Sequence, residues 1–402
     1  MIPTARLLLI MLAAAACRGE RPRTTDTIEQ HELDSLITAL MPVVSDAAGM
    51  AFRETPRGAV RSKDQVRAYL LAKLAEELPA ERLEGITAAY RLMGLLPDTL
   101  DVGKLFVDLY TEQVAGFYEP DSAMFFAVTG TDRLTLRGTL AHEMVHALQH
   151  QHLELDSILS DRSDADRMAA AQAVLEGQAT LVMLEYLAPD SELLSNDAMW
   201  MELRDRLVAP QQSLKVFNAA PLVIRTGLIF PYLEGSTFMR WFNNNRQGEL
   251  PFGDLMPTST EQILHPARYQ RGDAPIRLRF TDDSTGVMHE DTFGEYESLV
   301  LRSSLAGITA VATDLPLGWG GDRLRVYRAD QGPALVWYTV FDEPGYADSF
   351  AGRVVQGLNG LSRVGYRTVI DRVPVGELAG VRVVIAPDGW ERWRELPAVE
   401  RL

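Results

Sequence analysis

The sequence lacks the features of several large classes of protein. It contains one cysteine, Cys17, so no disulfide can form within the chain. Basic residues are outnumbered, with 39 Lys and Arg against 55 Asp and Glu and a formal net charge of −16. A surface this acidic repels nucleic acid, which is therefore not an expected partner. What is present is a chain of 402 residues, 47% of them hydrophobic, which is enough to bury a globular core.

No apolar run in the sequence is long enough to cross a bilayer, which takes about 20 residues in a helix. The run at residues 7–16 follows Arg6 and ends in small residues, a pattern typical of an export signal. Because Cys17 comes directly after Ala14–Ala16, the segment resembles the lipobox of bacterial lipoproteins. In that group the signal is cleaved before a cysteine that then carries lipid.

The lipobox resemblance predicts how the chain is exported and anchored. It implies a signal peptide at residues 1–16, a lipidated mature N-terminus at Cys17 and a polar tether over residues 17–28. The protein would be held on the membrane of the bacterial cell envelope. Arg18 stands where Asp would retain a lipoprotein in the inner membrane, which favours the outer membrane in a Gram-negative cell. A plain secretory signal with a chance cysteine is the alternative.

The rest of the chain divides into two regions of different pattern. From Ile28 to about Leu187 the apolar residues recur mostly at helical spacing, and the pattern changes after about residue 270. The exception is residues 114–128, where two aromatic runs flank Glu119–Ser122 and predict a β-hairpin. Over residues 271–402 the pattern is that of strands with one helix between them. Strands are predicted at 323–328, 334–341, 366–370 and 381–385, and a helix at 346–358.

These patterns predict an α+β fold in two domains. The first, at residues 29–270, is mainly helical with a small β-hairpin or edge strand. The second, at residues 271–402, is a smaller α+β domain of unknown role.

One helical segment contains the residues of a metal site, His142-Glu143-Met144-Val145-His146. Residues four apart project from one face of a helix, so both imidazoles can bind a single Zn²⁺. Glu143 lies beside the pair, within reach of a metal-bound water. Leucines at 136, 140 and 148 with Met144 predict that this helix is buried, where ionisable side chains need a partner such as a metal.

A catalytic zinc site usually takes a third protein ligand, and two residues compete for that position. His152 has the spacing of the metzincin motif, but Gln149 replaces the glycine that turns the chain there. His152 is therefore expected on the continuing helix, solvated together with His150. Glu176 is preferred, because it lies among Ala, Val and Leu on the next helix, predicted to begin near Ser163 and end before Pro189. Gly177 beside it indicates close helix packing.

His142–His146 together with Glu176-Gly177-Gln178-Ala179 is similar to the gluzincin metallopeptidases of clan MA, in particular the M1 aminopeptidase-like group. The chain also resembles uncharacterised bacterial lipoproteins with this zinc motif. The resemblance covers about residues 110–245 and implies a zincin-like catalytic domain. It implies Zn²⁺ held by His142, His146 and Glu176, with Glu143 as general base and a peptide or protein as substrate. The family's Pro-Tyr-x-x-Gly segment matches Pro231–Gly235, predicted to open a helix, and implies Tyr232 as oxyanion stabiliser; a core tyrosine is the alternative.

The sequence also departs from the gluzincin pattern. The spacing from the His-bearing helix to Glu176 is longer, and Glu119 of the exopeptidase-like segment is followed by Pro120 and expected in a turn. Aminopeptidase activity is therefore not predicted. Thr180 stands where some gluzincins have an Asp that supports a ligand histidine. His265, after the capping-box pattern Thr258-x-x-Glu261, could orient an intermediate or be structural.

Two other classes of protein use residues of this kind. A carboxylate-bridged di-iron bundle needs two Glu-x-x-His segments, and Glu143–His146 is the only one in the sequence. The alternative that stays open is a non-catalytic, zinc-containing lipoprotein that acts as a binding or scaffold module. Glu143 argues against it, since a structural zinc site has no use for a base.

Overall fold

The computed structural model describes residues 28–159, 163–189, 195–208, 214–311, 313, 317–361 and 363–402. Cys17, the predicted signal and all but the last residue of the predicted tether lie outside these residues. Within them, no helix combines the length and apolar character needed to cross a membrane. The architecture is mixed α+β, with a helical first part and a sheet-rich last part, which confirms the predicted fold class.

The helices lie mostly in the first two thirds of the chain. In the described residues they are α1 Gln30–Ala48, α2 Lys63–Glu77, α3 Ala80–Leu92, α4 Val102–Gln113, α5 Arg133–His152, α6 Leu155–Leu159, α7 Ala165–Leu187, α8 Asp197–Val208, α9 Lys215–Ala219, α10 Leu222–Asn245, α11 Thr260–Leu264, α12 Pro266–Gln270, α13 Gly294–Leu305 and α14 Pro344–Asn359.

The strands form three sheets in the described residues. They are β1 Arg57–Arg61, β2 Gly116–Glu119, β3 Met124–Val128, β4 Leu278–Phe280, β5 Val287–Asp291, β6 Trp319–Tyr327, β7 Ala334–Phe341, β8 Tyr366–Val375, β9 Leu378–Pro387 and β10 Val399–Arg401. The sheet orders are β1-β3-β2, β10-β4 and β5-β6-β7-β9-β8.

The predicted hairpin is present as strands β2 and β3, which pair antiparallel. Glu119 is the last residue of β2, and its Oε2 accepts from the backbone N–H of Ser122 at 2.7 Å, so it stabilises the turn as expected. A third strand, β1, adds to β3 in parallel. The sequence pattern did not predict β1, because a parallel partner can come from a distant part of the chain.

The two helices with the metal-site candidates begin at side-chain caps. The Asp132 carboxylate accepts from Thr135 N–H before α5, and Asp164 accepts from Arg167 N–H before α7, one residue after the predicted Ser163. Helix α5 continues to His152, and α7 ends before Pro189, both as predicted. The apolar stripe of α5 is buried, also as predicted.

Helix α10 differs from the prediction, which placed its start at Pro231. It begins at Leu222, directly after Pro221, and Pro231 lies inside it. A proline fits the start of a helix best, and Pro221 already holds that place. Buried apolar residues before Pro231, including Val223, Ile224 and Leu228, extend the packed face toward the N-terminus. Their burial compensates for the hydrogen bond that a mid-helix proline removes.

Close packing of α7 against α10 depends on two glycines. A methyl group added to Gly177 would overlap with the carbonyl of Gly235, and one added to Gly235 would overlap with the carbonyl of Ala173. The helix backbones therefore touch at this point, as the position of Gly177 beside Glu176 indicated. The contact places the segment with Tyr232 against the segment with Glu176.

The C-terminal region contains a five-stranded antiparallel sheet, β5-β6-β7-β9-β8. The four predicted strands and the predicted helix are all present: β7 has the predicted bounds, β6 begins earlier and ends one residue earlier, and β8, β9 and α14 are longer than predicted. One continuous apolar core includes Tyr110 and Phe230 from the first region and Trp337 and Phe350 from the second. The domain boundary near residue 270 stays a prediction.

Substituting Gly177 by Ala is expected to destabilise the fold by about 1–3 kcal/mol, since an added methyl group overpacks the α7–α10 contact. Chemical denaturation would measure the free energy of unfolding. Gly352→Ala in α14 is the matched control, because a methyl group there meets no atom within 4 Å. It should stabilise by about 0.5–1 kcal/mol through helix propensity. Equal effects of the two variants would contradict the packing argument.

Candidate metal centre

Helices α5 and α7 bring the three predicted ligands together. His142 Nε2 lies 3.0 Å from Glu176 Oε2, and His146 Nε2 lies 3.4 Å from the same oxygen. The two imidazole nitrogens are 3.1 Å apart. One donor atom from each residue therefore falls within 4.8 Å of the others, close enough to share one ion. His152 is not part of this cluster.

All three residues are buried, at 1–2% exposure. Two imidazoles and a carboxylate in an apolar interior are costly unless they pair with each other or with a cation. Two nitrogen donors and one carboxylate oxygen match a known ligand set of catalytic zinc. Glu176 Oε1 and His142 Nδ1 have no hydrogen-bond partner among the described residues. The donor set therefore fits a zinc ion.

Glu143 lies between the two ligand histidines in sequence, but its side chain points toward strand β2. Its Oε2 accepts from the backbone N–H of Tyr118 at 2.8 Å, and the side chain is 2% exposed. The hydroxyl of Tyr118 lies 2.9 Å from His150 Nδ1, so Tyr118 ties β2 to α5 at two residues, Glu143 and His150. Sequence patterns gave no sign of Tyr118, whose contribution is a main-chain donor.

Tyr232 lies beside the ligands, on α10. Its ring stacks over that of His142 with centroids 5.9 Å apart and an angle of 25° between the planes. It is 4% exposed. The Gly177–Gly235 contact explains this placement, since Tyr232 is three residues before Gly235.

The ionisable groups of the cluster shift one another's pKa values. Burial lowers the pKa of His146, but the Glu176 and Glu143 carboxylates outweigh it and raise the pKa to about 9. Burial lowers the pKa of His142, and Glu176 only partly opposes that shift. Burial raises the pKa of Glu176, but the imidazoles outweigh it and the pKa is lowered. Burial raises the pKa of Glu143 to about 8.

Other residues considered from the sequence lie apart from the cluster. His150 and His152 are both partly exposed, as expected of solvated residues, and each also has a protein partner: His152 Nε2 lies 2.7 Å from the carbonyl of Ala51, and His150 contacts Tyr118. Both are on the continuing helix as predicted, where neighbouring elements supply partners. His265 Nε2 lies 2.9 Å from Glu295 Oε2. The capping residue before α11 is Ser259 rather than Thr258.

Thr180 lies on the same helix as Glu176 but makes no hydrogen bond to a ligand among the described residues. Its hydroxyl is buried on α7 and has no hydrogen-bond partner among the described residues. Two buried glutamines of the site were not predicted: Gln149, which contacts His146, and Gln178, which contacts Gln149. The sequence signal for Gln149 was a polar residue three positions after His146, on a helix that was expected to be buried.

Comparison with known proteins covers only the C-terminal region. Residues 262–389 match a family described as a domain of unknown function, DUF8575. The match begins downstream of the cluster and of Tyr232. Searches of curated proteins and of solved structures found no match.

The raised pKa of His146 predicts that zinc affinity increases with pH. In chelator-treated protein His146 is protonated at pH 7, because its pKa is about 9, and a ligand nitrogen must lose that proton. The affinity should therefore rise by about tenfold per pH unit from pH 7 toward 9. Calorimetry in buffers of different ionisation enthalpy should show release of at least about one proton per zinc ion.

Two variants control this measurement. Glu176→Ala should lower zinc affinity strongly, since it removes the oxygen next to both imidazoles. His152→Ala should leave it unchanged, because that side chain contacts Ala51 instead. The reverse ranking would favour a metzincin-like ligand set.

Proposed function

We propose that the protein is a zinc-dependent peptidase of gluzincin type. The observation that supports this best is that Glu176 and Tyr232, distant in sequence, lie against His142 and His146 in the fold, with Glu143 on the same helix as the two histidines. Zinc would supply a Lewis acid and lower the pKa of its water toward about 7. The substrate class is a peptide or protein.

Glu143 is the proposed general base. Its carboxylate takes a proton from the attacking water and returns it to the departing amine. The Tyr118 N–H fixes one carboxylate oxygen at 2.8 Å, which leaves the other for proton transfer. Burial, which raises its pKa to about 8, suits a base that must also act as an acid near neutral pH.

Tyr232 is the proposed oxyanion stabiliser. Its ring stacks on the ligand His142, and it lies on α10, the helix packed against the helix of Glu176. A hydroxyl donor placed where negative charge develops on the carbonyl oxygen stabilises the transition state more than the substrate.

The second candidate is a non-catalytic zinc-containing protein that binds a partner or acts as a scaffold. The burial of the cluster favours it, since His142, Glu143, His146 and Glu176 are each at most 2% exposed. Hydrolysis of a peptide would require this conformation to open, whereas a structural zinc site is closed.

Glu143→Gln separates the two candidates. It should leave zinc binding and folding intact, because Glu143 is not a ligand, yet lower peptide hydrolysis by about 10²–10⁴-fold. Tyr232→Phe should lower kcat by about 10²–10³-fold with little change in KM. A peptide-library digest followed by steady-state kinetics would measure both.

The expected pattern can fail in two ways. Hydrolysis at the original rate by Glu143→Gln would refute the peptidase and leave the zinc-containing binding protein. Equal activity of Tyr232→Phe would remove only that residue from the mechanism.

We also propose that Cys17 is lipidated and anchors the protein to the bacterial cell envelope. Arg18 favours the outer membrane over the inner one in a Gram-negative cell. The support is the apolar run at 7–16 and the small residues before Cys17. Cell fractionation should find the unmutated protein with membranes, and Cys17→Ser should release it. An unmutated protein already in the soluble fraction would contradict the anchor.

A further inference from the structure

Gln149 contacts His146 on the side of the ring that faces away from the other ligands. Its Oε1 lies 2.8 Å from His146 Nδ1, and its Nε2 donates to the carbonyl of Leu175 at 3.0 Å. The side chain has no exposed surface, so water cannot replace either contact. The amide thus links α5, which it belongs to, with α7.

The Leu175 carbonyl determines which way the Gln149 amide points. A carbonyl oxygen only accepts, so the amide nitrogen must face it and the amide oxygen must face His146. That oxygen also only accepts, so the hydrogen lies on Nδ1 of His146. In the neutral ring Nε2 then keeps its lone pair, and Nε2 is the atom that faces His142 and Glu176.

A second buried amide, Gln178, supports the first. Its Oε1 accepts from Gln149 Nε2 at 3.0 Å, and its Nε2 donates to the carbonyl of Ala48 at 3.2 Å. Ala48 is the last residue of α1, so the two amides connect three helices. The bonds therefore run in one direction, from the His146 Nδ1–H through Gln149 and Gln178 to the carbonyl of Ala48, which can only accept.

The two ligand histidines differ in whether Nδ1 has a hydrogen-bond partner. His142 Nδ1 has no hydrogen-bond partner among the described residues, whereas His146 Nδ1 has one. Leu175 is also the neighbour of Glu176, so the amide that orients His146 contacts the backbone beside the third ligand. Partners of this kind orient a ligand and raise its basicity.

We infer that Gln149, supported by Gln178, is a positioning residue of the metal centre. It fixes the tautomer and ring orientation of His146 and holds α5 and α7 at the spacing that directs His146 and Glu176 to one ion. This inference rests on the proposed metal centre and is independent of the proposed hydrolysis.

The test compares zinc affinity of the full chain by chelator competition. Gln149→Leu should weaken zinc binding by about 10–100-fold, because His146 Nδ1 loses its acceptor. Gln172→Leu is the matched control. It makes the same substitution at a buried glutamine of α7 whose amide nitrogen has no hydrogen-bond partner, and zinc affinity should stay the same.

A second variant and a second measurement guard against misfolding. Gln178→Leu leaves the Gln149–His146 bond in place and removes its support, so the loss of zinc affinity should be smaller. In zinc-loaded protein, NMR should show a slowly exchanging Nδ1 proton on His146. That proton should exchange faster in Gln149→Leu and Gln178→Leu than in Gln172→Leu.

The outcomes separate this inference from the peptidase. Unchanged zinc affinity and proton exchange in Gln149→Leu and Gln178→Leu would overturn the inference, whether or not peptides are cleaved. Weaker zinc binding in a protein that cleaves no peptide would support the inference and count against the peptidase. An unmutated protein that binds no zinc would overturn both.

Discussion

The burial of two imidazoles and two carboxylates in the apolar interior is the constraint on which the site depends. His142, His146 and Glu176 satisfy part of it by contacting one another, with separations of 3.0–3.4 Å. Glu143 satisfies it with a main-chain donor from β2. Because each group has a specific partner on another element, helices α5 and α7 and strand β2 have little freedom to shift.

Two glycines allow a further helix, α10, to pack against the site. The contact of Gly177 with Gly235 brings the backbone of α10 onto α7, and Tyr232 thereby comes to stack on His142. A larger residue at either glycine would separate the helices and the two segments that resemble gluzincin motifs. The same contact therefore serves packing and the geometry of the site.

The C-terminal region is tied to the helix that bears Glu176. Ala165 N–H, at the start of α7, donates to Asp291 Oδ1 at 2.7 Å, and the Asp166 carboxylate accepts from Thr260. Asp322 of β6 accepts from Phe293 and Gly294 at the start of α13, and burial raises its pKa to about 6. The Ala165–Asp291 bond joins elements that the sequence pattern assigned to separate domains, and the other bonds hold the elements on either side of it.

The sequence by itself determined the local features. Helical spacing placed His142 and His146 on one face of a buried helix with Glu143 beside them, and two aromatic runs around a turn predicted the hairpin of β2 and β3. Turn and cap residues predicted most boundaries of helices and strands. The start of α10 was predicted wrongly at Pro231, because buried apolar residues before this proline continue the helix toward its N-terminus. Tertiary structure decided what depends on distant residues: the parallel strand β1, the approach of Glu176, and the partners of Gln149 and Glu143. Apart from the bond of Gln149 to His146, those contacts span 25 residues or more, and local periodicity does not indicate which buried polar groups meet across helices.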